Sequence, residues 1–277
     1  MPSHTKATRS WLFTPGTRPE RFEKAEAVGA DVLIIDLEDA VAPGDKPDAR
    51  RTALDWIAAN KAGAIDHALR INGLDTAAGI ADLDALLAHD AAPDYLVLPK
   101  TETSGHIEIL DRLLSAADKA SRIVGIIESA RGLAAINAIA GSSPRLFGLV
   151  LGAADMAADL GCETAWDPLA SIRSRIVAAC ALAGVSAIDS PFFDVHDPSG
   201  CEAEAAHAVT FGFVGKAAIH PAQIAPINKV LTPTPEAVEK ARMILAKNAK
   251  GVGVVDGQMI DEAVARKARR VLAAAGG

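Results

Sequence analysis

Aromatic side chains are scarce: 4% of the 277 residues are Phe, Trp or Tyr, and tyrosine occurs once. Half of the residues are still apolar, so Ala, Val, Leu and Ile must fill the interior, which suits short helices laid on aliphatic strands. Cysteine is scarce too. Cys162, Cys180 and Cys201 are odd in number, far apart and without CxxC or Cys/His spacing, which speaks against a disulfide framework or a zinc site and for reduced thiols. Positive charge is in deficit. A net charge of −7 argues against nonspecific nucleic-acid binding, which needs a basic surface. The one basic run, Arg266-Lys-Ala-Arg-Arg270, sits in an alanine-rich helical pattern and reads as a solvated helix face. No apolar run approaches the ~20 residues of a membrane span. The first ten residues lack an apolar signal core, so a soluble, cytoplasmic protein is expected. A GxGxxG fingerprint after the first strand is also missing; Gly16 stands alone.

What is present is a run of aliphatic segments. Residues 10–14, 32–37, 68–71, 95–98, 123–127, 146–151, 186–188 and 212–216 have the unbroken aliphatic character of strands buried on both faces. Helical spacing fills 19–28, 47–59, 78–88, 105–117, 132–138, 168–183 and 202–208. Eight such units, at the ~30-residue spacing of a βα repeat, predict a (β/α)8 TIM barrel over residues 1–222. An open doubly wound sheet is the fallback. After His220-Pro221 the pattern changes. Helices at 235–248 and 258–274, around a turn or short hairpin at 251–257, predict a C-terminal helical extension over 223–277, capping the barrel or reaching over a neighbouring subunit.

A barrel places its active site at the C-terminal strand ends, so the residues that end each strand are the ones to read. The second ends Asp36-Leu-Glu-Asp39; in a strand, Ile34, Asp36 and Glu38 share one face. The third ends Arg70-Ile-Asn72, the fourth Pro99-Lys100, the fifth Glu128-Ser129, the sixth Gly152-Ala-Ala-Asp155, and the eighth leads to Lys216 and His220. Glu128 and Asp155 terminate adjacent buried strands and are placed to share one cation. Two carboxylates with waters and a substrate oxygen form an open Mg²⁺ site, and no histidine or cysteine stands beside them for zinc. The competing reading is that each caps a helix or pairs with an arginine. Arg70 suits capture of a carboxylate or of a developing oxyanion, or an ion pair with Asp36 or Glu38, and the two roles are compatible. Lys100 and Lys46 are open between a Schiff-base amine and a salt bridge. His220 is open between loop packing and ligation.

These residues also carry a resemblance. Arg9-Ser-Trp-Leu-Phe-Thr-Pro-Gly-Thr-Arg-Pro-Glu-Arg21, Gly29-Ala-Asp31, Asp36-Leu-Glu-Asp-Ala-Val-Ala-Pro43 with Lys46, Arg70-Ile-Asn72, Leu98-Pro-Lys100, Ile127-Glu-Ser129, Gly152 to Gly161, Gly215-Lys-Ala-Ala-Ile-His-Pro221 and Met259-Ile-Asp261 follow one another in order. Together they resemble the citrate lyase β-subunit family, within the HpcH/HpaI aldolase/citrate lyase superfamily. The resemblance implies a TIM-barrel, Mg²⁺-dependent carbon–carbon lyase. It would cleave or form 3-hydroxyacyl thioesters of the citryl, malyl or citramalyl type, carried on CoA or an acyl-carrier protein. It also implies Glu128 and Asp155 as metal ligands, with Arg70, Glu128, Asn72 and Lys100 around the substrate. Arg70 and Asp261 would serve catalysis, and Asp36 and Glu38 support it. The assembly would be a homotrimer or hexamer in which Asp261 reaches a neighbouring subunit's site. Two alternatives stand beside it: a metal-dependent aldolase on free hydroxy-keto acids, and a non-catalytic barrel that binds a keto acid.

Overall fold

Aliphatic runs without alternation belong to strands covered on both sides, and eight of them close on one another in the computed structural model of the chain. It describes residues 8–61, 63–248, 253–255 and 258–276. The strands are β1 (Ser10–Pro15), β2 (Val32–Asp36), β3 (Asp66–Arg70), β4 (Tyr95–Leu98), β5 (Arg122–Ile127), β6 (Leu146–Leu151), β7 (Ser186–Asp189) and β8 (Gly215–Ala218). All pair in parallel, in chain order, and β8 returns to β1 to complete a closed barrel. Around it lie α1 (Phe22–Ala27), α2 (Lys46–Ala59), α3 (Ala77–Ala88), α4 (Ser104–Ala116), α5 (Ala130–Ala134), α6 (Ile136–Ala140), α7 (Ala153–Leu160), α8 (Trp166–Ala183), α9 (Pro198–Phe211) and α10 (Ile224–Leu231). The TIM barrel expected from the sequence is therefore the fold.

Two cores follow from the period of two along each strand. Trp11, Val32, Ile34, Ala68, Tyr95, Val97, Val124, Ile126, Phe147, Val150 and Ile188 fill the barrel. Their alternates Leu33, Ile35, Leu37, Leu69, Leu96 and Leu149 pack outward against the helices. The floor of the barrel is stoppered by the few aromatics the chain has. The β5–β6 register shifts between Ile123 and Val124, so Phe147 is the extra residue of a bulge. Its ring lies 4.8 Å from Tyr95 and 5.7 Å from Trp11, with the Arg122 guanidinium 4.5 Å above it. The Tyr95 hydroxyl donates to Asp66 at 3.3 Å.

The boundaries differ from the sequence reading in informative places. Gly212, placed in the eighth strand, instead ends α9 with φ of 107°, and β8 starts three residues later. The helical stretch at 132–138 is two short helices that share Ala135 as their junction. The Gly152-Ala-Ala-Asp155 strand end opens α7, which Gly161 terminates in the left-handed conformation at φ of 67°. Helix α10, unread in the sequence, buries Ile224 and Ile227 in the main core. The barrel layer therefore continues past residue 222. The remaining tail comprises α11 (Pro235–Asn248), an antiparallel pair β9 (Gly253–Val255) and β10 (Gln258–Ile260), and α12 (Glu262–Ala274). Its apolar residues, among them Ala241, Ile244, Ile260 and Ala268, form a core of their own. The helix expected from residue 258 starts four residues later, where the Asp261 side chain accepts from Val264 N–H at 2.9 Å. Residues 1–7, 62, 249–252, 256, 257 and 277 lie outside the described residues, so the expectations for the first residues and for part of the 251–257 stretch fall there.

Candidate active site at the carboxyl ends of the strands

Asp36 and Arg70 are the last residues of neighbouring strands and register partners, so the pleat turns both to the inside. Arg70 Nε and Nη2 each donate to Asp36 at 2.6 Å, a bidentate pair. Asp36 also accepts from the Glu38 and Ala40 amides. Its oxygens are spent on holding Arg70 and the turn after β2. Glu38 Oε2 lies 2.8 Å from Arg70 Nη1 but off the N–H direction, so charge rather than a hydrogen bond holds it. Arg70 rests over the Phe13 ring at 4.8 Å. Burial works to lower its pKa, yet Asp36 and Glu38 outweigh it and raise it, so the guanidinium is a fixed cation.

Across the barrel top, Glu128 follows β5 and is 6% exposed. Its Oε1 accepts from the Lys100 amide at 2.6 Å. Burial, with the charges of Glu38 and Asp155, pushes its pKa to about 7, against the opposing Lys100 amide and charge. Glu38 is likewise pushed up, by burial first and then by Asp39, over the counter-pull of Arg70 and Lys100. Asp155 sits exposed in the first turn of α7. A Cβ on Gly152 would come within 2.5 Å of both Glu128 Cβ and Oε2. That glycine is the space the carboxylate needs. The residues fit a hard cation: Glu128 and Asp155 are oxygen donors that line one cavity, and the charge of Asp155 adds to what pushes Glu128 up. Among the described residues no group of three or more His, Cys, Asp or Glu could hold a metal ion, so waters and substrate oxygens would have to complete the coordination.

Asp36, Asp39, Arg70, Glu128 and Asp155 line one cavity of about 410 Å³. Its other wall is apolar: Phe13, Ile126, Val150, Pro191, Phe193 and Ile219. These apolar liners carry no charge signal and went unread in the sequence.

The structure brings together five of the eight predicted site residues, Asp36, Glu38, Arg70, Glu128 and Asp155, and joins Lys100 to them. Lys100 Nζ pairs with Glu38 Oε1. Burial works to lower its pKa, but Glu38 raises it above the usual lysine value, so it is a salt-bridged cation rather than a Schiff-base amine. Its φ is 50°, in the left-handed region, at a cost of about 1–2 kcal/mol for a residue with a Cβ. Asn72 corrects the sequence reading. Strand β3 ends at Arg70, alternation stops there, and the Asn72 amide turns into the helix layer. It donates to Leu37 O at 2.9 Å and Asp82 at 2.6 Å and accepts from Lys46 Nζ at 2.5 Å. It lies outside the cavity lining, and both polar atoms of its amide are already bonded to protein groups. Lys46 also binds the Leu37 and Glu38 carbonyls, so it too is structural. His220 caps a 3₁₀ turn, with Nδ1 3.2 Å from the Ala222 amide. Lys216 is buried with Asp189 and Glu204 in the helix layer. Asp261 caps α12 within its own chain and does not line that chain's cavity.

A family model described as HpcH/HpaI aldolase/citrate lyase matches residues 9–221. The chain belongs to the HpcH/HpaI aldolase/citrate lyase family. It is 38% identical to the L-malyl-CoA/beta-methylmalyl-CoA lyase of Rhodobacter capsulatus, over 98% of this chain and 95% of that protein. Among solved structures of relatives, RipC from Yersinia pestis is 55% identical with a TM-score of 0.75, covering 83% of this chain and 98% of that one. CitE from Mycobacterium tuberculosis, in complex with magnesium, acetoacetate and coenzyme A, is 34% identical with a TM-score of 0.80, covering 99% and 100%. In this family member the charged strand ends and the cavity coincide.

Proposed function

We propose that the protein is a Mg²⁺-dependent carbon–carbon lyase that cleaves, or in reverse forms, a 3-hydroxyacyl-CoA thioester of the citryl, malyl or citramalyl type, giving a keto acid and an acyl thioester. One observation carries the reading: a guanidinium fixed by two carboxylates faces two further carboxylates across a single cavity. Glu128 and Asp155 would hold the ion, which when bound supplies Lewis-acid polarisation of substrate oxygens. The substrate hydroxyl gives its proton to solvent, Arg70 holds the negative charge left on that oxygen, and the charge passes to the thioester carbonyl as the hydroxyl-bearing carbon becomes a ketone and its bond to the neighbouring carbon breaks. Because Asp36 already fixes its plane, Arg70 does not reorganise during the step. Cleavage leaves an enolate on the thioester fragment, which must take up a proton. Asp261 of a neighbouring copy is the proposed donor, supported by its place on a tail with a core of its own. That role requires a homo-oligomer, a trimer or hexamer, and the proposed compartment is the cytoplasm. No helix among the described residues is long and apolar enough to cross a membrane.

The test is a panel of hydroxyacyl-CoA and hydroxyacyl-carrier-protein thioesters with Mg²⁺, monitoring both keto acid and free thiol. Keto acid should appear without free thiol, vanish in EDTA, and fall about 1000-fold or more in Glu128→Ala and Asp155→Ala. Full activity in EDTA overturns the metal assignment. Thiol without keto acid means thioester hydrolysis, and cleavage of free hydroxy-keto acids alone means an aldolase.

A further inference from the structure

Two halves of the site sit at the ends of different strands: Asp36, Glu38 and Arg70 at or just after the ends of β2 and β3, and Glu128 and Asp155 in the segments that follow β5 and β6. One residue touches both. Lys100, after β4, gives its backbone N–H to Glu128 Oε1 at 2.6 Å and its ammonium to Glu38 Oε1. Glu38 in turn meets Arg70 Nη1 at 2.8 Å. The main chain gives this amide to Glu128 and then turns left-handed at Lys100, with φ of 50°. The next amide, Thr101 N–H, is then bound to Ile126 O at 3.1 Å, and the Thr101 hydroxyl returns to Leu98 O at 2.9 Å. Glycine would adopt this turn without strain but has no ammonium. Of the described non-glycine residues, only Lys100 and Asp118 have positive φ, and Asp118 sits in a turn after α4, remote from the strand ends.

We propose that Lys100 is a positioning residue with two separable parts: its left-handed amide sets the Glu128 carboxylate, and its ammonium sets Arg70 through Glu38. Its kinetic arm rests on the lyase reading and its Mn²⁺ arm on Glu128 and Asp155 as the metal ligands of that reading. The amide leaves Glu128 Oε2 directed over Gly152, toward the turn that carries Asp155. The ammonium pairs with Glu38 Oε1 while Oε2 lies against Arg70 Nη1, so losing it frees the Nη1 side of the guanidinium while Asp36 still holds the other.

Variants of the full chain separate the parts. Lys100→Gly and Lys100→Val both lack the ammonium but differ in tolerance of the left-handed turn. Mn²⁺ titration followed by electron paramagnetic resonance needs no turnover. The Mn²⁺ Kd should stay within about twofold of the parent in the glycine variant and weaken about tenfold in the valine variant, the ratio set by the cost of that turn. Equal Kd values in the two overturn the amide part. Lys100→Ala, milder than valine, replaces it if the valine variant does not fold. Lys100→Met should lower kcat about tenfold or more, with the Mn²⁺ Kd within about twofold and Lys100→Arg recovering most of the loss. An unchanged kcat in Lys100→Met, or a loss that arginine does not rescue, overturns the ammonium part. If the parent cleaves no thioester, the lyase reading fails while the Mn²⁺ comparison still decides the amide part.

Discussion

Gly152 faces a carboxylate rather than open space, and its missing side chain is what lets Glu128 occupy the barrel top. Gly152→Ala should therefore leave the barrel folded while displacing Glu128, weakening Mn²⁺ binding by about tenfold or more in a direct titration. At Arg70 the bidentate geometry matters as much as the charge. Arg70→Lys keeps the charge but cannot meet both Asp36 oxygens, and kcat should fall about 100-fold or more. A loss below about threefold in steady-state assays would show that charge alone suffices. At this scale the acidic half of the site was legible in the sequence, because carboxylates that end aliphatic runs are costly unless used. Asn72 was not: the alternation that carried Asp36 and Arg70 inward stops with the strand, and the sequence does not mark where. Lys100 could be seen as charged but not as left-handed, since a lysine in that conformation leaves no compositional trace.

Elements, rather than single contacts, set where the strand ends stand. Helices α8 and α9 are tied to β7 and β8 by a buried set of charges. Arg173 Nε donates to Asp189 at 2.9 Å, and Lys216 Nζ reaches Asp189 at 2.7 Å and Glu204 at 2.8 Å. Arg173 also lies 4.1 Å over the Trp166 ring. Asp189 is fully buried and answers two cations. Asp189→Asn should lower stability by roughly 3–5 kcal/mol, seen as a melting temperature lower by roughly 6–15 °C in a thermal scan. Seven of the eight strands were legible within two residues at either end, because a doubly covered strand has no other pattern. The eighth was misplaced because Gly212 and Phe213 look continuous with it, whereas Gly212 is the left-handed stop of α9. Helix α7 hid behind a motif read as a strand end, and α10 behind the proline that opens its preceding turn.

The whole molecule divides its packing between a barrel with one helix layer and a tail with its own small core. Ending the chain at residue 234 should leave the barrel's circular dichroism and Mn²⁺ affinity in place while removing thioester turnover. Retained turnover would count against Asp261. The thiols report on the same packing. Burial pushes Cys180 up to about 12 and Cys201 up to about 11, so both stay protonated through pH 9. A thiol-disulfide reagent at pH 8 should label Cys162 in the native protein, and all three cysteines only after unfolding. The aromatic stopper formed by Trp11, Tyr95 and Phe147 has a consequence of another kind. With the floor shut, the cavity's door lies at the carboxyl ends of the strands, where the exposed Phe193 and Ile219 line it. A cleavage that makes two products in such a dead end imposes an order of departure: the fragment nearer the door leaves first, and the one seated deeper waits behind it.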